Sequence, residues 1–269
     1  MDLMDSLDDA FLDPRFRAAV AVAREAGGLA LSHFRNLGAL TVESKGVQDP
    51  VSEADRQTEA AIRSRLTTQF PDDAFVGEET GATGVDPDRG TWVVDPIDGT
   101  QPFLLGLPTW CVSIAYVHSS DIHLGVIYNP VTDEIYAARR GRGATLNGAV
   151  MHVSGAQRLS EGLTGLGCSA RTSPQDLAFM AEHLRAAGGM FHRVGSGALT
   201  LAYVATGQLI GYLEMHINAW DCLAAILLVE EAGGVATPFL AENGVTGGGP
   251  IVASAPGVFD ELRSVLPAT

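Results

Sequence analysis

Residues 92–100 read Trp-Val-Val-Asp-Pro-Ile-Asp-Gly-Thr, and they constrain this 269-residue chain more than any other stretch. The apolar run predicts a short buried strand, Thr91–Val94, ending on the carboxylate of Asp95. Pro96 stiffens the exit, Asp98 follows, and Gly99-Thr100 opens the next segment. Two carboxylates about 4 Å apart repel by roughly 4 kcal/mol at an effective dielectric constant of 20. A fold keeps such a pair where something offsets the repulsion. Mg²⁺, a hard cation that prefers carboxylate and carbonyl oxygens, would do so. The N–H groups of Gly99 and Thr100 would cradle an anion beside it. Carboxylate-held cations next to an anion cradle point to phosphoryl chemistry. The plainer alternative is that Asp-Pro and Asp-Gly only make a turn. The aspartyl-phosphate signature DxDGT spaces its acids by two, whereas here 98 − 95 = 3, so that chemistry is rejected.

Other acids fall at similar places. Glu78 follows a second short strand, Ala74–Val76. Asp55 lies in the first turn of a helix predicted over about Ser52–Gln69, with Ser52 at capping-box spacing. Asp221 lies in the first turn of a helix over Trp220–Ala232, with Asn218 as its cap and Gly233 as its stop. Each has a local alternative: a solvated Glu78-Glu79 loop, a capping role for Asp55, compensation of the helix dipole by Asp221. Together they place acids at strand C-ends and helix N-ends, where α/β folds bind ligands. The set would supply two or three cation sites. HExxH, Walker A and GxSxG patterns are absent, and Gly195-Ser196-Gly197 reads as a glycine turn before a helix.

The rest of the chain reads as layers. Ala19, Val22, Ala23, Ala26 and Ala30 recur at helical spacing within a helix over Pro14–Phe34. A loop carrying Lys45, the only lysine, and Gly46 follows. Residues 110–138 read as a strand meander, and Asn147-Gly148 as a hairpin turn. Strands and helices then alternate, among them a strand over Ile210–Glu214, which indicates a layered α/β architecture. The helix at 220 shows Trp220, Leu223, Ala224, Leu227 and Leu228 on one face. A boundary in the polar stretch after residue 153 divides an N-terminal α+β sub-domain, 1–153, which holds most of the acids, from a C-terminal α/β sub-domain, 154–269, which holds Asp221. The net charge of −15 argues against nucleic acid and anionic membrane as partners. Cys111, Cys168 and Cys222 are odd in number and form no CxxC, which suggests reduced thiols in a cytoplasmic protein.

Gly77–Thr80 (GEET), WVVDPIDGT, the hairpin Gly141–Gly148 (GRGATLNG) and Ala219–Gly234 (AWDCLAAILLVEEAGG) resemble the inositol monophosphatase family of Mg²⁺-dependent, lithium-sensitive phosphatases. The resemblance runs from Val22 to Ser254. It implies a five-layer αβαβα sandwich of the type shared with fructose-1,6-bisphosphatase, a homodimer, and two to three Mg²⁺ ions. Glu78, Asp95 and the Ile97 carbonyl would hold the first ion; Asp95, Asp98 and Asp221 would hold the second; Glu78 would help hold a third. Gly99 and Thr100 would bind phosphate, and Asp55 with Thr100 would orient the attacking water. Gly197, Glu214 and Asp221 would face a small phosphorylated metabolite, inositol monophosphate first. Lys45 falls in the loop that faces the metals in this family. The chain departs from the family pattern at Gln101-Pro102, His216 and Asn218, all on the substrate side. Histidinol phosphate, whose ammonium could pair with Glu214, is the alternative substrate, and a non-catalytic regulatory dimer the alternative role. Fructose and adenosine bisphosphates are less expected, because they ask for extra cations near the pocket.

Overall fold

The structure, a computed structural model, describes residues 8–46, 49–86 and 89–267, with the side chains at 39, 44–46 and 49–51 outside that description. Helix α1 (Asp9–Phe34) is followed by strands β1 (Val42–Gly46) and β2 (Asp49–Ser52) and helix α2 (Glu53–Gln69). The segment expected as a loop is thus an antiparallel pair. Lys45 lies on β1, and its side chain is outside the described residues. α1 starts five residues before Pro14, because Asp8 supplies an N-cap by accepting from the Phe11 N–H at 2.8 Å. Pro14 therefore sits in the second turn rather than at the helix start.

The first sheet has eight strands. In chain order they are β3 (Ala74–Gly77), β4 (Gly81–Thr83), β5 (Thr91–Asp98), β6 (Cys111–His118), β7 (Asp121–Asn129), β8 (Glu134–Arg139), β9 (Ala144–Leu146) and β10 (Ala149–Val150), and a short helix α3 (Thr100–Leu104) follows β5. Their spatial order is β10-β9-β8-β7-β6-β5-β3-β4. The meander expected over 110–138 is present as β6–β8. Asn147 and Gly148 turn the β9–β10 hairpin with φ of 49° and 83°, the left-handed pair such a two-residue loop demands.

The second half holds β11 (Leu163–Leu166), α4 (Pro174–Ala186), β12 (Met190–His192), α5 (Gly197–Ala205), β13 (Gly211–Asn218), α6 (Ala219–Glu231), β14 (Val235–Ala236), α7 (Phe239–Asn243), β15 (Gly248–Ser254) and α8 (Phe259–Arg263). Its sheet order is β12-β11-β13-β15-β14, with β12, β11 and β13 parallel.

Apolar clusters fill the spaces between five layers. α1 and α2 cover one face of the first sheet through Val22, Leu66, Phe75 and Trp92. α5 and α6 fill the space between the two sheets. α4 and α8 cover the outer face of the second sheet through Met180, Leu184 and Leu262. The outer core contains one polar node. Asp73, buried, accepts from Arg15 at 2.9 and 3.0 Å, from Trp92 Nε1 at 3.1 Å and from the Tyr116 hydroxyl at 3.3 Å. It ties α1 to two strands at once.

α6 differs from the one-faced helix its sequence suggests. Residues 222–229 are all buried, because sheets lie on both sides of it. A helix apolar all round belongs in such a position. Its backbone rests directly on β7: a Cβ added at Gly125 would stand 2.3 Å from the Ala224 carbonyl oxygen. That contact fixes the height of the α6 N-terminus, and with it Asp221, against the first sheet.

Candidate metal centre

β5 runs on through Asp95 and Asp98 instead of ending at Val94, and its pairing with β6 contains a bulge. Asp95 faces Ser113 and Asp98 faces Cys111, so three steps on one strand match two on the other. In a regular strand residues three apart point to opposite faces. The bulge removes that alternation and brings both carboxylates to one side, which is how bulges re-aim side chains at sites. Asp221 arrives from the first turn of α6. One oxygen from each of Asp95, Asp98 and Asp221 lies within 4.8 Å of the others. Asp95 and Asp98 are buried and Asp221 is half-buried. Glu78 lies just beyond β3, outside this trio, and its charge acts on Asp95.

The electrostatics show a carboxylate set held against its preference. Asp95 is pushed well above the usual carboxylate range, first by burial and then by the charges of Glu78, Asp98 and Asp221. Asp98 is pushed up to about 7, by burial and then by Asp221. Burial also raises Asp221, while hydrogen bonds to Asp95 and from Asn218 act the other way. The residues fit a hard divalent cation: the donors are all oxygen, they converge, and a double positive charge offsets the repulsion that burial magnifies.

The surrounding shell holds these groups in place. Ser52 donates from its N–H to Asp55 Oδ2 at 2.8 Å, which is the expected capping box. Asp55 Oδ1 accepts from the Thr100 hydroxyl at 3.3 Å. The capping role and the pairing with Thr100 are therefore both realised, one on each oxygen. The Thr100 hydroxyl also lies 3.2 Å from the Ile97 carbonyl, which can share its one proton, and the Ile97 N–H donates to Asp95 Oδ1 at 2.9 Å. Gly99 takes a φ of 97°, and a Cβ there would meet the Thr109 carbonyl oxygen at 2.9 Å, so only glycine turns the chain into α3. Pro102 is buried in the first turn of α3, against Gly195. Asn218 caps α6 with its backbone N–H to Asp221 Oδ2 at 3.1 Å, and its amide Nδ2 donates to the same oxygen at 3.1 Å.

Four further residues enter here that sequence reasoning passed over. Ser196, in the supposed glycine turn, donates to Asp98 Oδ2 at 2.5 Å and caps α5 through the Leu199 N–H. The Ala198 N–H donates to the same Asp98 oxygen at 2.7 Å. Glu59, fully buried, accepts the N–H groups of Glu79 and Thr80 at 2.8 and 2.9 Å and so fixes the turn that carries Glu78. Its signal in the sequence is its place one helical turn after Asp55, on the same face of α2. Tyr212 donates its hydroxyl to Glu214. Two positions apart on β13, they share a face by strand alternation.

The trio opens into a cleft of about 160 Å³ lined by Gly197, Glu214, His216, Asn218 and both Arg171 and Arg193. Both arginines are exposed. Glu214 is buried and pushed up to about 8, by burial first and then by Asp221 and Asp98, with Tyr212 and Arg193 pulling it down. Among the described residues no helix is long and apolar enough to cross a membrane.

Comparison with known proteins gives one family, with relatives that carry two kinds of name. The sequence model described as "Inositol monophosphatase family" matches residues 12–265. A protein of Haemophilus influenzae named Nus factor SuhB is 35% identical over 259 residues, covering 95% of this chain and 96% of its own length. A Mesorhizobium japonicum protein named inositol-1-monophosphatase is 37% identical over 236 residues, covering 87% of this chain and 89% of its own. The structure of the Thermotoga maritima IMPase superposes with a TM-score of 0.83 at 30% identity, over 94% of this chain and 96% of that one.

Proposed function

The chain belongs to the inositol monophosphatase family, and from that premise we propose that it is a Mg²⁺-dependent phosphomonoesterase acting on a small polyol phosphate, inositol monophosphate first. The convergence of Asp95, Asp98 and Asp221 within 4.8 Å carries this reading. Glu78, Asp95, the Ile97 carbonyl, Asp98 and Asp221 are the groups that would hold two to three ions. Bound there, Mg²⁺ supplies charge neutralisation at the phosphoryl group and a water activated for attack.

The chain's own residues do the positioning. Asp55 accepts the Thr100 hydroxyl proton in a hydrogen bond and thereby aims the Thr100 oxygen lone pairs at an attacking water. The N–H groups of Gly99 and Thr100 cradle phosphate oxygens. Gly197 and Glu214 face the alcohol, whose leaving oxygen must lie in line with the water. A loose phosphoryl transition state demands little else than such alignment and charge compensation. Glu214, buried and accepting from the Tyr212 hydroxyl, presents a carboxyl group suited to hydrogen-bond a substrate hydroxyl.

The test is phosphate release from inositol 1-phosphate and histidinol phosphate, with Mg²⁺ and with chelator. Metal-dependent release from the first supports the reading. No release from either at any Mg²⁺ concentration returns the chain to the non-catalytic alternative. The same preparation, run on light scattering, tests the homodimer that belongs to this reading.

A further inference from the structure

β11 runs parallel to β13, with Gly165 beside Tyr212 and Leu166 beside Leu213. Gly167 follows at the strand end, and its N–H donates to the Leu213 carbonyl at 2.9 Å. Strand alternation puts Gly165 and Gly167 on one face, next to Tyr212 and Glu214. A Cβ at Gly165 would stand 2.8 Å from Tyr212 Cδ2, and one at Gly167 would stand 2.4 Å from both the Tyr212 hydroxyl oxygen and Glu214 Oε2. Two absent side chains thus leave a slot, and the Tyr212 ring and the Glu214 carboxyl fill it. Glycine within a strand marks such a close approach.

The slot holds a rigid donor against a carboxyl. The Tyr212 ring belongs to the core between the two sheets, with Leu199, Ala202 and Ile217. Burial first, and then the charge of Glu214, keep its phenol well above the ordinary range, so it retains its proton and donates. Glu214 is the last residue of β13 in regular register before the bulge that runs to Ile217. Arg193 acts on it through charge, but among the described residues the hydrogen bond to its carboxyl comes from Tyr212. That bond takes Oε2 and leaves Oε1 for a group in the cleft, which Tyr212 and Glu214 both line.

We propose that Tyr212 is the positioning residue for Glu214: seated over Gly165 and Gly167, it fixes Oε2 so that Oε1 meets a substrate hydroxyl in one orientation. This rests on the reading of Glu214 as a residue that faces the substrate alcohol, and adds what sets its orientation. A glutamate side chain is rich in rotamers, and ordering it before the substrate arrives removes a cost from binding. The effect belongs to recognition of the alcohol, since the Tyr212 hydroxyl bonds to Glu214 rather than to the acid trio.

The experiment sets Tyr212→Phe, which removes the hydroxyl and keeps the ring, against the wild type on two compounds. One is inositol 1-phosphate; the other is p-nitrophenyl phosphate, whose alcohol part carries no free hydroxyl. KM for inositol 1-phosphate should rise roughly three- to tenfold, the scale of one side chain ordered in advance. Its kcat, and the KM for p-nitrophenyl phosphate, should stay nearly unchanged. Gly167→Ala, which crowds the same bond, should give the same split. In a Glu214→Ala background, Tyr212→Phe should add nothing, because it acts through the group already removed. Equal rises on the two compounds, an undiminished effect in the Glu214→Ala background, or no effect overturns the proposal. Turnover of neither compound by the wild type overturns the phosphatase reading instead. Calorimetric titration of inositol 1-phosphate with Ca²⁺ present then decides on Tyr212: a Kd raised by Tyr212→Phe keeps its role, and an unchanged Kd or no binding overturns it.

Discussion

Asp95 is the carboxylate on which the site converges: its neighbours Glu78, Asp98 and Asp221 all act on it, and its Oδ1 holds the Ile97 N–H. Asp95→Asn keeps the size and the hydrogen bond to Ile97 but removes the charge. Phosphate release should fall about a thousandfold, equivalent to about 4 kcal/mol of barrier, while the circular dichroism spectrum and melting temperature stay near wild type or rise. Retained turnover would remove Asp95 from the chemistry. Glu59 acts one step further out, through the turn that carries Glu78. Glu59→Gln replaces a carboxylate that accepts two backbone N–H groups by an amide with one acceptor oxygen. The Mg²⁺ concentration for half-maximal activity should rise several-fold, with little change in KM for substrate; an unchanged Mg²⁺ dependence would make Glu59 purely structural. Much of this detail is legible in the sequence. Asp55 and Asp221 stand in first helical turns that capping signals predict, and Asp95 and Asp98 follow directly on the apolar run that marks β5. Ser196 and Glu59 are harder to see, because each acts through a partner distant in the chain, and Tyr212 acts through a neighbour on the same strand face, which no motif marks.

At the scale of elements, two of the misreadings share a physical cause. β5 and β13 both continue past the point where the apolar run stops, and both contain a bulge: Asp95 to Asp98 on β5, and Glu214 to Ile217 on β13. Alternation rules assume regular pairing, so a strand that carries polar residues through a bulge reads as a strand followed by a loop. α6 misleads in the opposite sense, since its apolar stripe is only part of a surface buried on every side. The Asp73 node supplies a test at this scale, because it fastens α1 to the first sheet independently of the site. Asp73→Ala leaves Arg15 half-buried and unpaired and removes the acceptor of Trp92 and Tyr116. Stability in urea should drop by about 3 kcal/mol, as expected for breaking a buried pair on one side. A loss below about 1 kcal/mol, the size of a surface pair, would show that α1 is held by its apolar face alone.

For the whole molecule, the raised carboxyls make stability depend on pH and on metal together. As pH rises past the ordinary Asp value of 3.8, the unfolded chain releases the Asp98 proton, while the folded chain keeps it until about 7. Glu214 behaves likewise between its ordinary 4.5 and about 8. In that window the folded state binds more protons, so stability falls as pH rises. The melting temperature of chelator-treated protein should therefore decline from about pH 4 to about pH 8, and Mg²⁺ should flatten the decline. A chelator-treated melting temperature that climbs across this window would contradict the electrostatics of the site.

The position of Asp221 has a consequence for the order in which the protein is made. Asp95 and Asp98 leave the ribosome with the first sheet, whereas Asp221 follows Asp98 by 123 residues (221 − 98). At the synthesis rates of cells, about 5–20 residues per second, that gap lasts on the order of ten seconds. For that interval the nascent chain carries a repelling acid pair without its third member. The three-carboxylate cluster is thus completed late in translation, and its completion reports that α6 has docked between the two sheets.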